Sequence, residues 1–315
     1  MLFDLGRKDE IKDYYDVVTV GGGPAALGAA VYAKRAGLSV LVVEKTLEGG
    51  QLNLTTYIDN YLGFPSIEGQ ELARRMKEHA QLLGAEFLGS QVQKLILNAE
   101  QRIVKTEDGQ SINAGVVMIA TGAEPKKLQV PGEEKFTAKG ISYCATCDGY
   151  FFKDKDVVVV GGGDTAINDA LYLSKIARSV TVVHRRDKLR AVKILQDKAF
   201  ANQKIKFEFN KIVESFQGDN KLQAVILKDT TTGELSTLKI DGVFIAIGLT
   251  PNSELVKGQV QTDENGYVIT NEWMETSLRR VYAIGDVRKK SVRQIITAVS
   301  DGAIAAIHAA ENYFS

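Results

Sequence analysis

Two valine-rich runs, at positions 16–20 and 157–160, are each followed by a glycine-rich turn and then by a segment of small apolar residues. Runs of β-branched residues without polar alternation are typical of strands buried in parallel sheets, and the segments after the turns have the length of helices. A further valine-rich run follows each segment, at 40–43 and 180–183. The pattern therefore predicts one strand–turn–helix–strand unit that occurs twice in the chain.

The two turns, at 21–26 and 161–166, share the spacing G-x-G-x-x-A. In the dinucleotide-binding fingerprint, the first glycine permits a tight turn and the second lets the backbone approach a pyrophosphate. The third small residue, here Ala26 and Ala166, lets helix and strand pack closely. A tight turn that binds nothing explains one such copy, but it explains poorly two copies in the same context. We therefore expect an α/β protein with two nested Rossmann-like dinucleotide-binding domains.

The two units differ where the second strand ends. In the first unit Glu44 lies 21 positions after Gly23, where a carboxylate accepts hydrogen bonds from the hydroxyls of an adenosine ribose. In the second unit, the position 21 residues after Gly163 begins a cationic cluster that contains His184, Arg185, Arg186, Lys188 and Arg190. Guanidinium groups suit a phosphate, so this unit is expected to hold the 2′-phosphate of NADP, with a solvated basic turn as the alternative. The first unit then needs another dinucleotide, for which FAD is the candidate.

The only two cysteines, Cys144 and Cys147, are three residues apart, directly precede Asp148 and lie shortly before the second glycine turn. A structural disulfide at this spacing would close a very small loop and constrain the unfolded chain little. Two inert core cysteines are another alternative, but the C-x-x-C spacing beside a dinucleotide turn favours a redox-active pair. No metal is expected, because a structural zinc site takes four protein ligands and the only histidines are the scattered His79, His184 and His308.

Two buried-strand patterns, at 116–125 and 243–251, each end at a glycine with a proline soon after. Such segments are natural crossing points between domains, which predicts that the second domain is inserted into the first. The expected domains are 1–124 and 252–315 for FAD, and 125–251 for NADPH and the C-x-x-C. The last part is expected to contain a strand that ends at Asp286 and a helix from about 293 to 313, whose core side carries Ile295, Ile296, Val299, Ile304 and Ile307.

Composition narrows the class of protein further. Of the 315 residues, 44% are hydrophobic and 25% are charged, and the formal net charge is zero, as is usual for a globular protein with a sizeable core. No basic run indicates nucleic acid, no apolar run reaches the ~20 residues that span a bilayer, and the start has no apolar signal segment. We therefore expect a cytoplasmic protein without a membrane or nucleic-acid partner, where a C-x-x-C is more often catalytic than structural.

Taken together, these motifs closely resemble those of the low-molecular-weight thioredoxin reductases. The resemblance implies an enzyme in which NADPH reduces FAD, FAD reduces the Cys144–Cys147 disulfide, and the dithiol reduces a thioredoxin. It also implies a homodimer. One departure is Ala26, where the family more usually has glycine. Besides the two glycine turns, the resemblance covers nearly the whole chain through the segments 49–52, 59–65, 120–122, 144–149, 184–190, 285–286 and 293–294.

The resemblance implies roles for individual residues. Cys147 is the thiol nearest the flavin, Cys144 attacks the partner's disulfide, and Asp148 is the acid that protonates the leaving thiolate, with helix capping as its alternative role. The residues implied in FAD binding are Gly21, Gly23, Pro24, Ala25, Ala26, Glu44, Lys45, Gly50, Gln51, Leu52, Asn60, Val92, Ala120, Thr121, Gly122, Gly285, Asp286, Arg293, Gln294 and Ile295. Those implied in NADPH binding are Gly161, Gly163, Asp164, Thr165, Ala166, His184, Arg185, Arg186, Arg190, Ile247 and Gly248.

Other functions stay open at the level of sequence. A flavin disulfide reductase of the same architecture could take reduced ferredoxin as donor or a glutaredoxin-like protein as acceptor, although the arginine cluster argues against a changed donor. A ferredoxin–NADP reductase would not need the C-x-x-C. An intact dithiol beside two nucleotide sites argues against a non-catalytic flavin-binding regulator.

Overall fold

Strands and helices lie where the valine-rich runs and glycine turns predict them, in a computed structural model that describes residues 11–54 and 57–314. The strands are β1 (Tyr14–Val20), β2 (Val40–Glu44), β3 (Tyr57–Ile58), β4 (Ile67–Glu68), β5 (Glu86–Gly89), β6 (Val92–Leu97), β7 (Arg102–Thr106), β8 (Ser111–Ile119), β9 (Ala123–Pro125), β10 (Ile141–Ser142), β11 (Asp156–Val160), β12 (Ser179–His184), β13 (Ile205–Phe209), β14 (Lys211–Gly218), β15 (Leu222–Asp229), β16 (Leu235–Lys239), β17 (Gly242–Ile245), β18 (Leu249–Pro251) and β19 (Val281–Ala283). The α-helices are α1 (Pro24–Arg35), α2 (Gly69–Leu82), α3 (Glu133–Phe136), α4 (Ala145–Asp148), α5 (Asp164–Leu173), α6 (Lys193–Phe200) and α7 (Ile295–Tyr313). Short 3-10 turns lie at Gly50–Leu54, Gly149–Phe152, Glu254–Val256 and Gly285–Val287.

The chain forms two compact units, one inserted into the other. The outer unit comprises the chain up to Glu124 together with Thr250–Ser315, and the inserted unit is Pro125–Leu249. The chain leaves the outer unit along β9 and returns along β18, and these two strands pair with each other. The inserted unit ends two residues before the boundary expected at 251. Which cofactor belongs to each unit stays a prediction.

The outer unit is built on a seven-stranded sheet in the order β5-β2-β1-β8-β7-β6, with β19 also paired to β8. The strands β5, β2, β1, β8 and β19 run parallel, whereas β7 pairs antiparallel with β8 and β6 pairs antiparallel with β7. Successive residues of β1 enter different cores, because Val17 packs with the alanines of α1 and α7 while Val18 packs on the opposite side of the sheet. Burial on both sides explains why the strand is apolar without alternation.

The inserted unit repeats this plan with a parallel five-stranded sheet in the order β10-β17-β11-β12-β13. An antiparallel sheet, β14-β15-β16, accompanies it. The chain leaves β11 toward β12 on one side, and β17 pairs with β11 on the other, so the strand order reverses beside β11. In open α/β sheets, ligands bind outside the carboxyl ends of the strands at such a point. The end of β11 is followed directly by the second glycine turn.

Helix α7 corrects one expectation from the sequence. It begins at Ile295 rather than near 293, and two of the isoleucines expected on its core side are exposed, Ile296 at 46% and Ile307 at 44%. A Cβ added to Gly302 would lie 2.1 Å from the carbonyl oxygen of Ala25 in α1. The two helices therefore approach too closely for branched side chains, and small residues fill the contact. The buried residues of α7 are Ala298, Asp301, Gly302, Ala305, Ala306 and Ala309.

Two further observations hold for residues 11–54 and 57–314. No helix in these ranges is both long and apolar enough to cross a membrane. No cluster of three or more His, Cys, Asp or Glu side chains in the same ranges is arranged to hold a metal ion.

Candidate active site

The two cysteines form a disulfide at the carboxyl end of β10 in the inserted unit. Cys144 caps the amino end of the short helix α4, and Cys147 lies within it, with 5.3 Å between the two Cα atoms. The backbone N–H of Cys147 donates a hydrogen bond to Cys144 Sγ at 3.2 Å. Both cysteines are partly exposed. Because β10 and β11 belong to one parallel sheet, the disulfide and the second glycine turn lie at the same edge of that sheet.

A buried serine links the disulfide segment to Asp148. Ser142, the last residue of β10, is 5% exposed. Its hydroxyl accepts a hydrogen bond from the backbone N–H of Cys144 at 3.1 Å and donates one to Asp148 Oδ2 at 2.6 Å. Asp148, predicted to be the acid, is therefore held beside the disulfide through a residue that the sequence reasoning did not single out.

A second buried contact fixes the residue before Cys144. Glu133 is 3% exposed, and its carboxylate accepts hydrogen bonds from the backbone N–H groups of Leu128 and Gln129 at 3.0 and 2.6 Å. The same carboxylate accepts the hydroxyl of Tyr143 at 2.8 Å. Burial, reinforced by this carboxylate, raises the pKa of Tyr143 to about 12. The start of the disulfide segment is thus anchored by a neutral phenol and a buried acid.

The glycine turn of the inserted unit has the geometry that its fingerprint predicts. Gly161 has a positive φ of 152°, and a Cβ there would lie 2.5 Å from the carbonyl oxygen of Ala246, so only glycine fits. The space beside Gly163 is open. Among the described residues other than its chain neighbours, the only atom within 4 Å of a Cβ added there is Nη2 of Arg190, at 3.9 Å. A phosphate could therefore approach the backbone at Gly163, where helix α5 begins. The predicted residue Thr165 lies in the first turn of α5, and Ile247 and Gly248 follow the neighbouring strand β17.

Three arginines after β12 lack partners for their charge. Arg185, Arg186 and Arg190 are exposed, and in the part of the chain that the structure describes no hydrogen bond or ion pair engages their guanidinium groups. The backbone N–H of Arg190 donates a hydrogen bond to the carbonyl of Gly162 at 2.7 Å. This bond holds the loop 185–190 against the glycine turn. The predicted cofactor residue Asp164 accepts a hydrogen bond from the N–H of Val192 at 2.8 Å, which closes the loop further along.

His184, the last residue of β12, is buried against the glycine turn, whereas the arginines are exposed. It is 5% exposed, and a Cβ on Gly162 would lie 2.3 Å from its Nδ1. Its Nε2 lies 3.1 Å from the carbonyl oxygen of Lys188. Burial lowers the pKa of His184 and favours the neutral ring. The direct cofactor contact expected of His184 stays a prediction, and the observed contacts support the turn.

The first glycine turn, in the outer unit, is closed by Glu44, the last residue of β2. Gly22 N–H donates to Glu44 Oε2 at 2.7 Å, and the other carboxylate oxygen accepts from the N–H of Thr46 at 3.0 Å. Gly21 has a φ of 104°, and a Cβ there would lie 2.5 Å from the carbonyl oxygen of Ala120. No atom lies within 4 Å of a Cβ on Gly23, so the backbone that the fingerprint assigns to a pyrophosphate is open.

Four buried side-chain atoms of the outer unit have no hydrogen-bond partner among the described residues, and two of the four belong to residues predicted for FAD. These two are Asp286 Oδ1, in the turn after β19, and Arg293 Nε, just before α7. Burial raises the pKa of Asp286. Buried polar groups are nearly always hydrogen-bonded, so both atoms fit a site that binds a polar ligand. Close by in sequence, Gln294 caps α7 and accepts a hydrogen bond from Asn60 at 3.2 Å.

The other residues predicted for FAD have mostly structural contacts. The amide of Gln51 donates to the carbonyl of Ala123, and the hydroxyl of Thr121 donates to the carbonyl of Asn252 at 2.5 Å. Leu52 and Val92 are buried. Lys45 and Gly50 are exposed, and Ala120 and Gly122 continue from β8.

A buried charge cluster supports the turn that holds Asp286. The carboxylate of Asp301 in α7 accepts hydrogen bonds from the N–H of Gly285 at 3.0 Å, from Arg288 Nε at 2.9 Å and from Lys290 Nζ at 2.8 Å. The side chains of Asp301 and Lys290 are each 6% exposed. Sequence reasoning missed this cluster, and its only sequence signal is an acidic residue within the alanine-rich stretch of α7.

Comparison with known proteins identifies the family. A model of the pyridine nucleotide-disulphide oxidoreductases matches residues 15–302. A thioredoxin reductase of Bacillus subtilis (strain 168) is 49% identical over 293 residues, which are 93% of this chain and 92% of that protein. The chain belongs to the thioredoxin reductases. Another member, from Peptoclostridium litorale, is 42% identical over 95% of this chain and 97% of its own length.

Solved structures agree with this thioredoxin reductase assignment. The crystal structure of the enzyme from Streptococcus pyogenes MGAS5005 is 46% identical and has a TM-score of 0.90, covering 96% of this chain and 98% of that one. The thioredoxin reductase from Giardia duodenalis is 32% identical with a TM-score of 0.89, over 95% and 99% of the two chains. The predicted fold class is thereby confirmed. Membership in this family of oxidoreductases implies a flavin and a nicotinamide cofactor.

Proposed function

We propose that this chain uses NADPH and FAD to reduce its own Cys144–Cys147 disulfide, and that the resulting dithiol reduces oxidised thioredoxin. The observation that carries the proposal lies within the inserted unit. A partly exposed disulfide occupies the same sheet edge as a dinucleotide turn flanked by arginines that have no side-chain partner within residues 11–54 and 57–314. A redox-active pair beside a nicotinamide dinucleotide is the arrangement that a disulfide reductase requires.

NADPH is the proposed donor because of the arginines after β12. The 2′-phosphate is the only difference between NADPH and NADH, and a planar guanidinium can bind it through two hydrogen bonds. Arg185 and Arg186 are exposed and without ion-pair partners in the described ranges, so neither would give up an existing contact to bind the phosphate. Reduced ferredoxin, the alternative donor, would leave this cluster without a function.

FAD is the proposed flavin of the outer unit. When bound, it accepts a hydride from the nicotinamide and supplies an electron pair to the disulfide. The open backbone at Gly23 would face its pyrophosphate, and Glu44 keeps lone pairs for ribose hydroxyls besides its contact to Gly22. Asp286 and Arg293 would direct their unpartnered buried atoms at its polar groups.

The two sulfurs have different proposed tasks. The family resemblance implies that Cys144 is the attacking thiol, and the hydrogen bond from the N–H of Cys147 to its Sγ would favour the thiolate. Its thiolate attacks one sulfur of the thioredoxin disulfide, which forms a mixed disulfide and releases the other thioredoxin sulfur. Cys147 then attacks Cys144 Sγ, which releases the reduced thioredoxin and restores the disulfide. Asp148 is the proposed proton donor for the sulfur that leaves when the disulfide of this chain is reduced.

An anaerobic titration followed by a trapping experiment tests the proposal. NADPH should bleach the flavin absorbance band and free both cysteine thiols of the chain, and oxidised thioredoxin should then restore the band. Cys147→Ser should form a stable mixed disulfide with thioredoxin through Cys144, whereas Cys144→Ser should not. Bleaching by reduced ferredoxin but not by NADPH would refute the donor. Reduction of a glutaredoxin-like protein but of no thioredoxin would refute the acceptor.

Assembly and location complete the proposal. The family resemblance predicts a homodimer, which sedimentation of the flavin-loaded protein would test. The sequence predicts a cytoplasmic location.

A further inference from the structure

Ser142 is almost fully buried, and its hydroxyl oxygen lies within hydrogen-bond distance of three atoms. It is the last residue of β10, pairs with Phe244 of β17, and is 5% exposed. Its oxygen lies 3.1 Å from the N–H of Cys144, 2.6 Å from Asp148 Oδ2 and 3.3 Å from the carbonyl oxygen of Cys144. A buried hydroxyl without such partners would be costly, so the residue is fixed by the contacts it makes.

The single proton of the hydroxyl can satisfy only one acceptor well. A hydroxyl-to-carboxylate bond has a typical length of about 2.5–2.7 Å and is roughly twice as strong as a neutral bond. The hydroxyl therefore donates its hydrogen bond to Asp148 Oδ2 at 2.6 Å, rather than to the carbonyl oxygen of Cys144 at 3.3 Å. The result is a directed chain in which Cys144 N–H donates to Ser142 and Ser142 donates to the carboxylate of Asp148.

We propose that Ser142 is a positioning residue that orients Asp148 toward the disulfide and stabilises the carboxylate that remains after Asp148 gives up its proton. This inference rests on the proposed function, in which Asp148 is the proton donor. The disulfide takes up an electron pair and one proton from the reduced flavin and a second proton from Asp148. The S–S bond breaks, two thiols form, and Asp148 becomes the carboxylate that accepts the Ser142 hydrogen bond.

The expected effect on Asp148 has a definite sign. A hydrogen bond donated to the ionised form favours ionisation, so loss of the hydroxyl should move the titration midpoint of Asp148 to higher pH. Loss of one hydrogen bond to a charged group corresponds to a shift in its titration midpoint of about one to two pH units. In the enzyme, protonated Asp148 would then persist to higher pH, but it would be a weaker and less well oriented acid.

The decisive measurement is a carbon-13 NMR titration of aspartate carboxyl groups in the flavin-loaded, disulfide form, where neither sulfur titrates. Asp148→Asn identifies the resonance. Ser142→Ala should raise its midpoint by about one to two pH units, and Ser142→Thr, which keeps a hydroxyl, should restore it. The matched control is Ser174→Ala, because Ser174 is also 5% exposed and its hydroxyl also donates once and accepts once. An unchanged midpoint in Ser142→Ala, or an equal shift in Ser174→Ala, would overturn the proposal.

A second readout separates this inference from the proposed function. The flavin is reduced anaerobically with dithionite, without NADPH or thioredoxin, and the rate at which the two thiols appear is followed against pH. If no thiols form in the unmodified chain, the proposed function fails. If they form, Ser142→Ala should slow their appearance and move the alkaline fall of the rate to higher pH, with no added effect in an Asp148→Asn background. Additive effects of the two substitutions would show that Ser142 does not act through Asp148.

Discussion

Replacing Asp301 with asparagine tests how much the buried charge cluster contributes to the outer unit. The substitution keeps the shape of the side chain and an acceptor for the N–H of Gly285, but it removes the charge that faces Arg288 and Lys290. The side chain of Lys290 is 6% exposed and that of Arg288 is 16% exposed, so water cannot fully replace the lost carboxylate.

The expected cost follows from this burial. Removing one partner of a buried ion pair typically destabilises a protein by about 3–5 kcal/mol. Arg288 keeps a hydrogen bond to Thr270 Oγ1 at 3.1 Å, which places the estimate near the lower end, at about 3 kcal/mol. Against a usual stability of about 5–15 kcal/mol, this is a large loss. We also expect weaker FAD binding, because Asp301 holds the turn that carries Asp286.

The assay uses the only tryptophan, Trp273, which belongs to the outer unit and stacks on His308. Its fluorescence during urea unfolding reports this unit, and flavin release is followed on the same samples. The control is Glu78→Gln, which breaks an exposed pair with Arg74 and should leave the urea midpoint nearly unchanged. If Asp301→Asn unfolds at the same urea concentration as the unmodified chain, the buried cluster does not stabilise the unit and the reasoning is wrong.

Three further predictions concern the inserted unit. Replacing both Arg185 and Arg186 with glutamine should lower kcat/KM for NADPH by roughly two to four decades and kcat/KM for NADH much less. Equal losses of kcat/KM for the two cofactors in steady-state kinetics would mean that the cluster is structural. Burial raises the pKa of Asp169 to about 7, well above that of an exposed aspartate, so its charge destabilises the fold as the pH rises from about 4 to about 7. Asp169→Asn should therefore increase the free energy of unfolding by roughly 1–3 kcal/mol at about pH 8 and little at about pH 4. An equal increase at the two pH values would contradict this. Gly162→Ala should cost about 1–3 kcal/mol, because its Cβ would lie 2.3 Å from Nδ1 of His184, and a thermal unfolding midpoint equal to that of the unmodified chain would contradict this.

Sequence reasoning succeeded where the determining interactions are local. The strands β1 and β11, their glycine turns and the following helices depend on residues within one strand–turn–helix unit, and the structure has all of them. The pairing of Cys144 with Cys147 is local in the same sense, since three positions separate the two residues. The arginine cluster was also predictable, because its distance from Gly163 along the chain is fixed by one helix and one strand.

The contacts that sequence reasoning missed depend on how separate elements approach each other. Asp301 meets Arg288 only because α7 folds back beside the turn after β19. The buried side of α7 is set by its distance to α1, which no periodicity within α7 encodes. Ser142 and Asp148 are six positions apart, but their hydrogen bond requires that the chain turn at the disulfide. Each of these contacts needs a tertiary geometry before its residues acquire a role.

The internal repeat allows a comparison of the residues that contact the glycine turn in the two units. Glu44 and His184 occupy the same place, 21 positions after the second glycine of the fingerprint. In both units this residue contacts the middle of the three turn glycines. Glu44 accepts a hydrogen bond from the N–H of Gly22 at 2.7 Å, and His184 packs on Gly162. Because the residue already contacts the turn, we expect discrimination of a 2′-phosphate to depend on the exposed arginines that follow. In the two copies, the residue that ends the second strand contacts the turn in the same place, and the copies differ in the residues that follow it.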